Sequence, residues 1–80
     1  MATQEIVSPL PGTFFRRPAP DKPPYKEEGD QVAAGDVIGL VEVMKTFYEV
    51  KSDTAGRVRR FLVEDEAPIQ AGQALVALDV

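Results

Sequence analysis

The chain repeats itself, and the repeat limits what it can fold into. Ser8 and Gly12 stand four positions apart, and so do Ser52 and Gly56, at an offset of 44. Residues 32–42 (VAAGDVIGLVE) resemble residues 69–79 (IQAGQALVALD), with Gly35 aligned to Gly72 at an offset of 37. The two offsets differ, so the first half holds seven extra residues between Gly12 and Gly35. With 80 residues in all, each half is too small to bury an apolar face alone. Two half-domains closing on one shared core is the arrangement that offsets the ordering entropy.

Eight short segments carry strand signals: residues 5–8, 12–16, 31–33, 37–43, 46–51, 56–64, 68–70 and 74–80. Gly, Pro, Asp and Ser clusters separate them, and no window sustains a 3.6-residue apolar stripe. This is the pattern of a small all-β sandwich or barrel without helices. Ile6, Leu10, Phe14, Val32, Ile38, Leu40, Val50, Val58, Phe61, Ile69, Leu75 and Val76 are the expected core.

The seven-residue surplus falls in residues 16–29 (RRPAPDKPPYKEEG), which hold four of the seven prolines. Proline fixes φ and removes a backbone donor, so this stretch is no central strand. A stiff, exposed loop is expected over about residues 17–28, in a domain spanning residues 8–80. Residues 1–7 are expected to be an N-terminal extension or first strand, and Met1 at the start favours a stand-alone subunit over an excised domain.

Composition removes several chemistries. The chain has no cysteine and no histidine, which excludes disulfides, thiolate nucleophiles, Cys/His zinc sites and Ser-His-Asp triads. No metal site or catalytic residue is expected. The net charge of −4 argues against nucleic acid as a partner. Arg16 with Arg17, and Arg57 with Arg59 and Arg60, read as solvated strand faces. No apolar run reaches the roughly 18 residues of a membrane span, and the first residues (MATQEIVSP) lack a signal peptide's basic start and apolar core. A soluble, cytoplasmic protein with no membrane partner is the expectation.

The most informative stretch is GLVEVMKTFYEV, residues 39–50. An apolar run arrives at Met44 and Lys45, and an alternating run leaves. Two-residue hairpin loops favour Asn-Gly and similar residues that accept positive φ, and here Met and Lys stand instead. A local rule broken at the junction of two half-repeats marks a functional site. An exposed lysine on a rigid turn lacks the burial or neighbouring cation that a catalytic lysine needs. It suits covalent modification, because a protruding amine can enter another enzyme's active site.

At Glu42, Val43, Met44, Lys45 and Thr46 the chain resembles the biotinylation motif of biotin carboxyl carrier domains, usually Glu-Ala-Met-Lys-Met. Glu42, Met44 and Lys45 match; Val43 replaces alanine and Thr46 replaces the second methionine. The related lipoyl domains typically carry Asp-Lys-Ala, so Met44 favours biotin. Residues 8–36 resemble the acetyl-CoA carboxylase branch, which has a thumb-like insertion where the proline cluster lies.

The resemblance implies a flattened β-barrel of two four-stranded antiparallel sheets with pseudo-twofold half-repeats, the biotinyl/lipoyl "hammerhead" fold. It implies a covalent biotin on Lys45, with Pro20, Asp21, Lys22 and Pro23 of the thumb near it. The implied partners are a biotin protein ligase, a biotin carboxylase that carboxylates the biotin ring, and a carboxyltransferase that passes the carboxyl group on. The carrier itself would catalyse no step. A lipoyl carrier of a dehydrogenase complex and an unmodified β-barrel interaction module are the alternatives.

Overall fold

The computed structural model describes residues 2–80. Met1, on which the stand-alone expectation rests, lies outside the described residues. Eight strands follow in order: β1 (Thr3–Val7), β2 (Gly12–Phe15), β3 (Gln31–Val32), β4 (Val37–Val43), β5 (Thr46–Lys51), β6 (Gly56–Phe61), β7 (Ala67–Ile69) and β8 (Ala74–Asp79). Among the described residues there is no helix. All eight expected segments are strands. β1 starts before its expected residue 5, and β6 stops at Phe61 instead of 64. The second difference has a cause in hydrogen bonding. Leu62 N–H donates to Leu75 O, and Glu66 N–H donates to Phe14 O at 2.6 Å, so the chain must leave one sheet to reach the other.

The strands form two four-stranded antiparallel sheets, ordered β1-β8-β6-β3 and β5-β4-β2-β7. The repeat explains both orders. It relates β1 to β5, β2 to β6, β3 to β7 and β4 to β8, which turns one sheet into the other. Each half gives two strands to each sheet, so neither half has a complete sheet of its own. Closure of the two together is built into the topology.

The repeated serines hold equivalent turns. Ser8 is buried, its hydroxyl donates to Leu10 O at 2.5 Å, and its backbone pairs with Gly72 and Gln73. Ser52 is buried, donates to Thr54 O at 2.5 Å, and pairs with Gly35 and Asp36. Each serine also accepts from the amide two residues on, so the hydroxyl is satisfied although buried. Gly35 and Gly72 both take positive φ, 93° and 82°, which glycine adopts without a Cβ clash.

Ten of the twelve expected core residues are buried. Leu10 and Phe61 are half-buried and pack against the cluster from its margin. Val41 and Leu78, absent from the expected core, are fully buried. A register shift at Ile38 in β4 explains Val41, and its counterpart at Leu75 in β8 explains Leu78. Each extra residue flips the alternation of the strand beyond it, so Val41 and Leu78 turn inward.

Candidate functional site

The β4–β5 ladder is the scaffold of the site. Its register runs Val41 with Tyr48, Glu42 with Phe47 and Val43 with Thr46. Only Met44 and Lys45 remain for the turn. Both hold left-handed φ, 50° and 66°. A non-glycine residue there costs about 1–2 kcal/mol, and a long ladder on both sides over-determines the geometry. Met44 is 93% exposed, and Lys45 is exposed beside it. Among the described residues no hydrogen bond or ion pair holds the Lys45 Nζ. The amine projects from the end of the domain on a turn that two paired strands fix in direction.

The flanking residues divide their work. Val43 is half-buried and packs against the core cluster. Glu42, half-buried, lies opposite Thr13 on one side and Phe47 on the other. Thr46 is exposed.

The inserted segment leaves β2 at Arg16 and returns beside it, because Tyr25 N–H donates to Arg16 O at 2.9 Å. Inside this thumb, Lys22 N–H donates to Ala19 O at 3.0 Å and Arg17 Nη1 donates to Lys22 O at 3.3 Å. Between the thumb and the outer face of the β5-β4-β2-β7 sheet lies a recess of about 140 Å³. Phe15, Phe47, Pro18, Ala19 and Pro20 give it apolar walls, and Arg17, Asp65 and Glu66 give it a polar rim. The Phe15 and Phe47 rings stand 5.8 Å apart, tilted by 57°. Phe47 follows Lys45 by two residues, so their Cα atoms are within roughly 7 Å of each other.

Of the four thumb residues expected near the site, Pro20 lines this recess. Asp21, Lys22 and Pro23 are exposed and do not line it. Sequence reasoning missed Phe15 and Phe47. Their signal was available: alternation against buried Phe14 and Val50 turns both rings to the outer face, where they fill no core.

Four of the five arginines are engaged within the fold, and Arg60 is exposed. The Arg16 guanidinium lies 4.0 Å from the Phe61 ring centroid, and Arg17 faces Asp65. Arg57 donates to Gly29 O at 2.7 Å, and Arg59 pairs with Asp79 at 3.2 Å. Among the described residues no group of three or more acidic side chains is placed to hold a metal ion, and no helix is long and apolar enough to cross a membrane.

A family profile described as "Biotin-requiring enzyme" matches residues 4–78. The chain belongs to the biotin/lipoyl family. Among curated relatives of this biotin/lipoyl domain, the biotin carboxyl carrier protein of acetyl-CoA carboxylase from Chlamydia muridarum is 44% identical over 70 residues, covering 88% of this chain and 43% of that protein. The corresponding Nostoc protein is 35% identical over 74 residues, covering 92% and 41%. A chloroplastic carrier of Arabidopsis thaliana is 44% identical over 64 residues, covering 80% and 23%. The chain thus spans less than half the length of these curated relatives. Among solved structures, the Kluyveromyces lactis urea carboxylase contains a similar domain. The TM-score is 0.81 at 25% identity, covering 99% of this chain and 6% of that one.

Proposed function

We propose that this domain carries biotin for a biotin-dependent carboxylase of the acetyl-CoA carboxylase type, with Lys45 as the attachment residue. The observation that carries the reading is the Lys45 turn, an exposed amine at the tip of a two-residue hairpin, beside an almost fully exposed Met44. The biotin carboxyl carrier proteins among its relatives supply the cofactor class. They favour biotin over a lipoyl group and over an unmodified interaction module.

The recess beside Phe47 suits such a group. Aromatic and proline walls accept apolar ring faces, and Arg17 and Glu66 at the rim offer a donor and an acceptor to a urea edge. When attached, biotin supplies a ring nitrogen that holds a carboxyl group. The chain's own residues do the rest. Met44 and Lys45 present the amine to a biotin protein ligase, and β4 and β5 hold its direction. Phe15, Phe47 and Pro20 offer a resting place. Tethering keeps the group at high effective concentration for two active sites, those of a biotin carboxylase and a carboxyltransferase. The domain catalyses no step itself and serves as a carrier within a ligase-class activity.

Incubation with a biotin protein ligase, ATP and biotin tests the reading by intact mass. One biotinyl adduct is expected on the native chain and none on Lys45→Arg. A native chain that stays unmodified, or a Lys45→Arg chain that gains the same mass, overturns it.

A further inference from the structure

The thumb would be a loose flap if only its own hydrogen bonds held it. Several side chains from outside brace it, Phe61 under Arg16, Asp36 beside Lys26 and Arg57 at Gly29, and Asp65 bonds the backbone at its root. Asp65 lies in the loop between β6 and β7, on the opposite half-repeat. Its Oδ1 accepts the Arg16 N–H at 2.8 Å, and its Oδ2 stands 3.8 Å from Arg17 Nε. The Asp65 and Arg17 side chains are about one-third exposed, at 31% and 37%, so water screens the pair only partly. Arg17 Nε itself is shut off from solvent without a hydrogen-bond partner.

The loop that delivers Asp65 is strained. Glu66 takes φ 65°, the third non-glycine residue among the described ones at positive φ. Its N–H is committed to Phe14 O at 2.6 Å, and Ala67 N–H donates to Glu64 O. These two bonds hold Asp65 directly under Arg16. The other two positive-φ residues are Met44 and Lys45. Strain of this kind persists where the surroundings impose it and gathers at functional sites. Asp65, Glu66 and Arg17 also line the recess that Phe47 and Pro20 close.

We infer that Asp65 is a positioning residue that latches the thumb over the recess beside Lys45. The bond to Arg16 is already formed. The Arg17–Asp65 pair is about 0.9 Å longer than a charge-assisted hydrogen bond, so a small inward movement of the thumb completes it. Completing it satisfies the shielded Arg17 Nε and brings Pro18, Ala19 and Pro20 toward Phe15 and Phe47. The inference rests on the reading of the recess as a seat for the Lys45-linked group, but the latch itself is testable without that group.

Amide hydrogen exchange on the unmodified chain decides the latch. In Asp65→Ala, the Lys22 and Tyr25 amides should exchange about tenfold faster, the equivalent of losing roughly one hydrogen bond to a charged partner. The amides of Gly29 and Val58, bonded at the far end of the insertion, should keep their native rates. Asp65→Asn retains an acceptor for Arg16 N–H and should restore most of the protection. Unchanged rates at Lys22 and Tyr25, or an equal rise at Gly29 and Val58, overturn the latch. Ligase treatment of the same samples separates the two ideas. A biotinyl adduct on both native and Asp65→Ala chains should slow Lys22 and Tyr25 in the native chain alone. Equal slowing in both overturns the latch, and an unmodified native chain overturns the function instead.

Discussion

Phe47 stacks against Phe15 across the outer face of its sheet, with ring centroids 5.8 Å apart, although Phe47 remains 54% exposed. A tilted pair of this kind contributes about 1 kcal/mol beyond its buried area. Phe47→Ala should therefore lower the urea unfolding free energy by roughly 1–2 kcal/mol, with Phe47→Leu in between. If the recess is a seat, loading biotin on Lys45 should shift the NMR resonances of both rings and leave Ile6 and Val58 in place. Shifts confined to Met44, Lys45 and Thr46 would show that the tethered group stays in solvent.

Met44 provides a second test because it holds φ 50° with almost no packing to justify it. Met44→Asn places a residue that tolerates the left-handed region. Stability in urea should rise by about 0.5–1 kcal/mol. Biotin incorporation should slow, since Met44 is the exposed apolar side chain next to the amine. A variant that is both more stable and modified at the native rate would remove Met44 from ligase recognition.

Why some of this was readable from the chain and some was not has a physical basis. Strand borders were readable because Gly12, Gly29, Gly35, Gly56 and Gly72, with the repeated serines, punctuate them. The hairpin was readable because Met44 and Lys45 break a turn preference, and a broken preference is local. Val41 and Leu78 were not, because the bulges at Ile38 and Leu75 shift the inward phase, and only the first has a glycine, Gly39, beside it as a cue. Proline content located the thumb but not its contacts. The recess draws Phe15 from β2 in the first half, and Phe47 from β5 and Asp65 from the β6–β7 loop in the second. Only the closed pair of sheets brings those three together. Of the four thumb residues the resemblance names, Pro20 lines the recess, whereas Asp21, Lys22 and Pro23 are exposed.

Acid should act on one of the two equivalent turns. Asp36 Oδ2 accepts the Ala33 N–H at 2.9 Å and lies 3.2 Å from Lys26 Nζ. The backbone bond first, and Lys26 second, hold its carboxyl below the ordinary 3.8. A depressed folded pKa means the unfolded chain binds the proton more readily, so this group's contribution is fully present above pH 3.8. It disappears as the pH falls through the depressed value. Gln73 occupies the matching turn and accepts the Gln70 N–H at 2.9 Å through an amide that does not titrate. Asp36→Asn should be less stable than the native chain above pH 4, with the difference vanishing in stronger acid. Denaturant melts across pH 2–6 measure it, and a gap that stays constant over that range would discount Asp36.

Gly12 and Gly56 give the sharpest use of the pseudo-twofold. A Cβ on Gly56 would lie 2.6 Å from Asp79 O, and one on Gly12 would press still closer on Glu42 O. Both clashes are with backbone, so the strand must move, at a cost of about 1–3 kcal/mol for each alanine. The two sites are equivalent in structure but adjoin different ladders. Glu42 pairs with Phe47 in the ladder that leads to Lys45, whereas Asp79 pairs with Thr3 and Arg57 in the other sheet. Gly12→Ala should therefore distort the base of the hairpin and slow biotin incorporation. Gly56→Ala should lose comparable stability and be modified at the native rate. Incorporation measured at a temperature where both variants stay folded separates local geometry from global stability. Equal slowing in both would mean that the ligase senses only how stable the domain is.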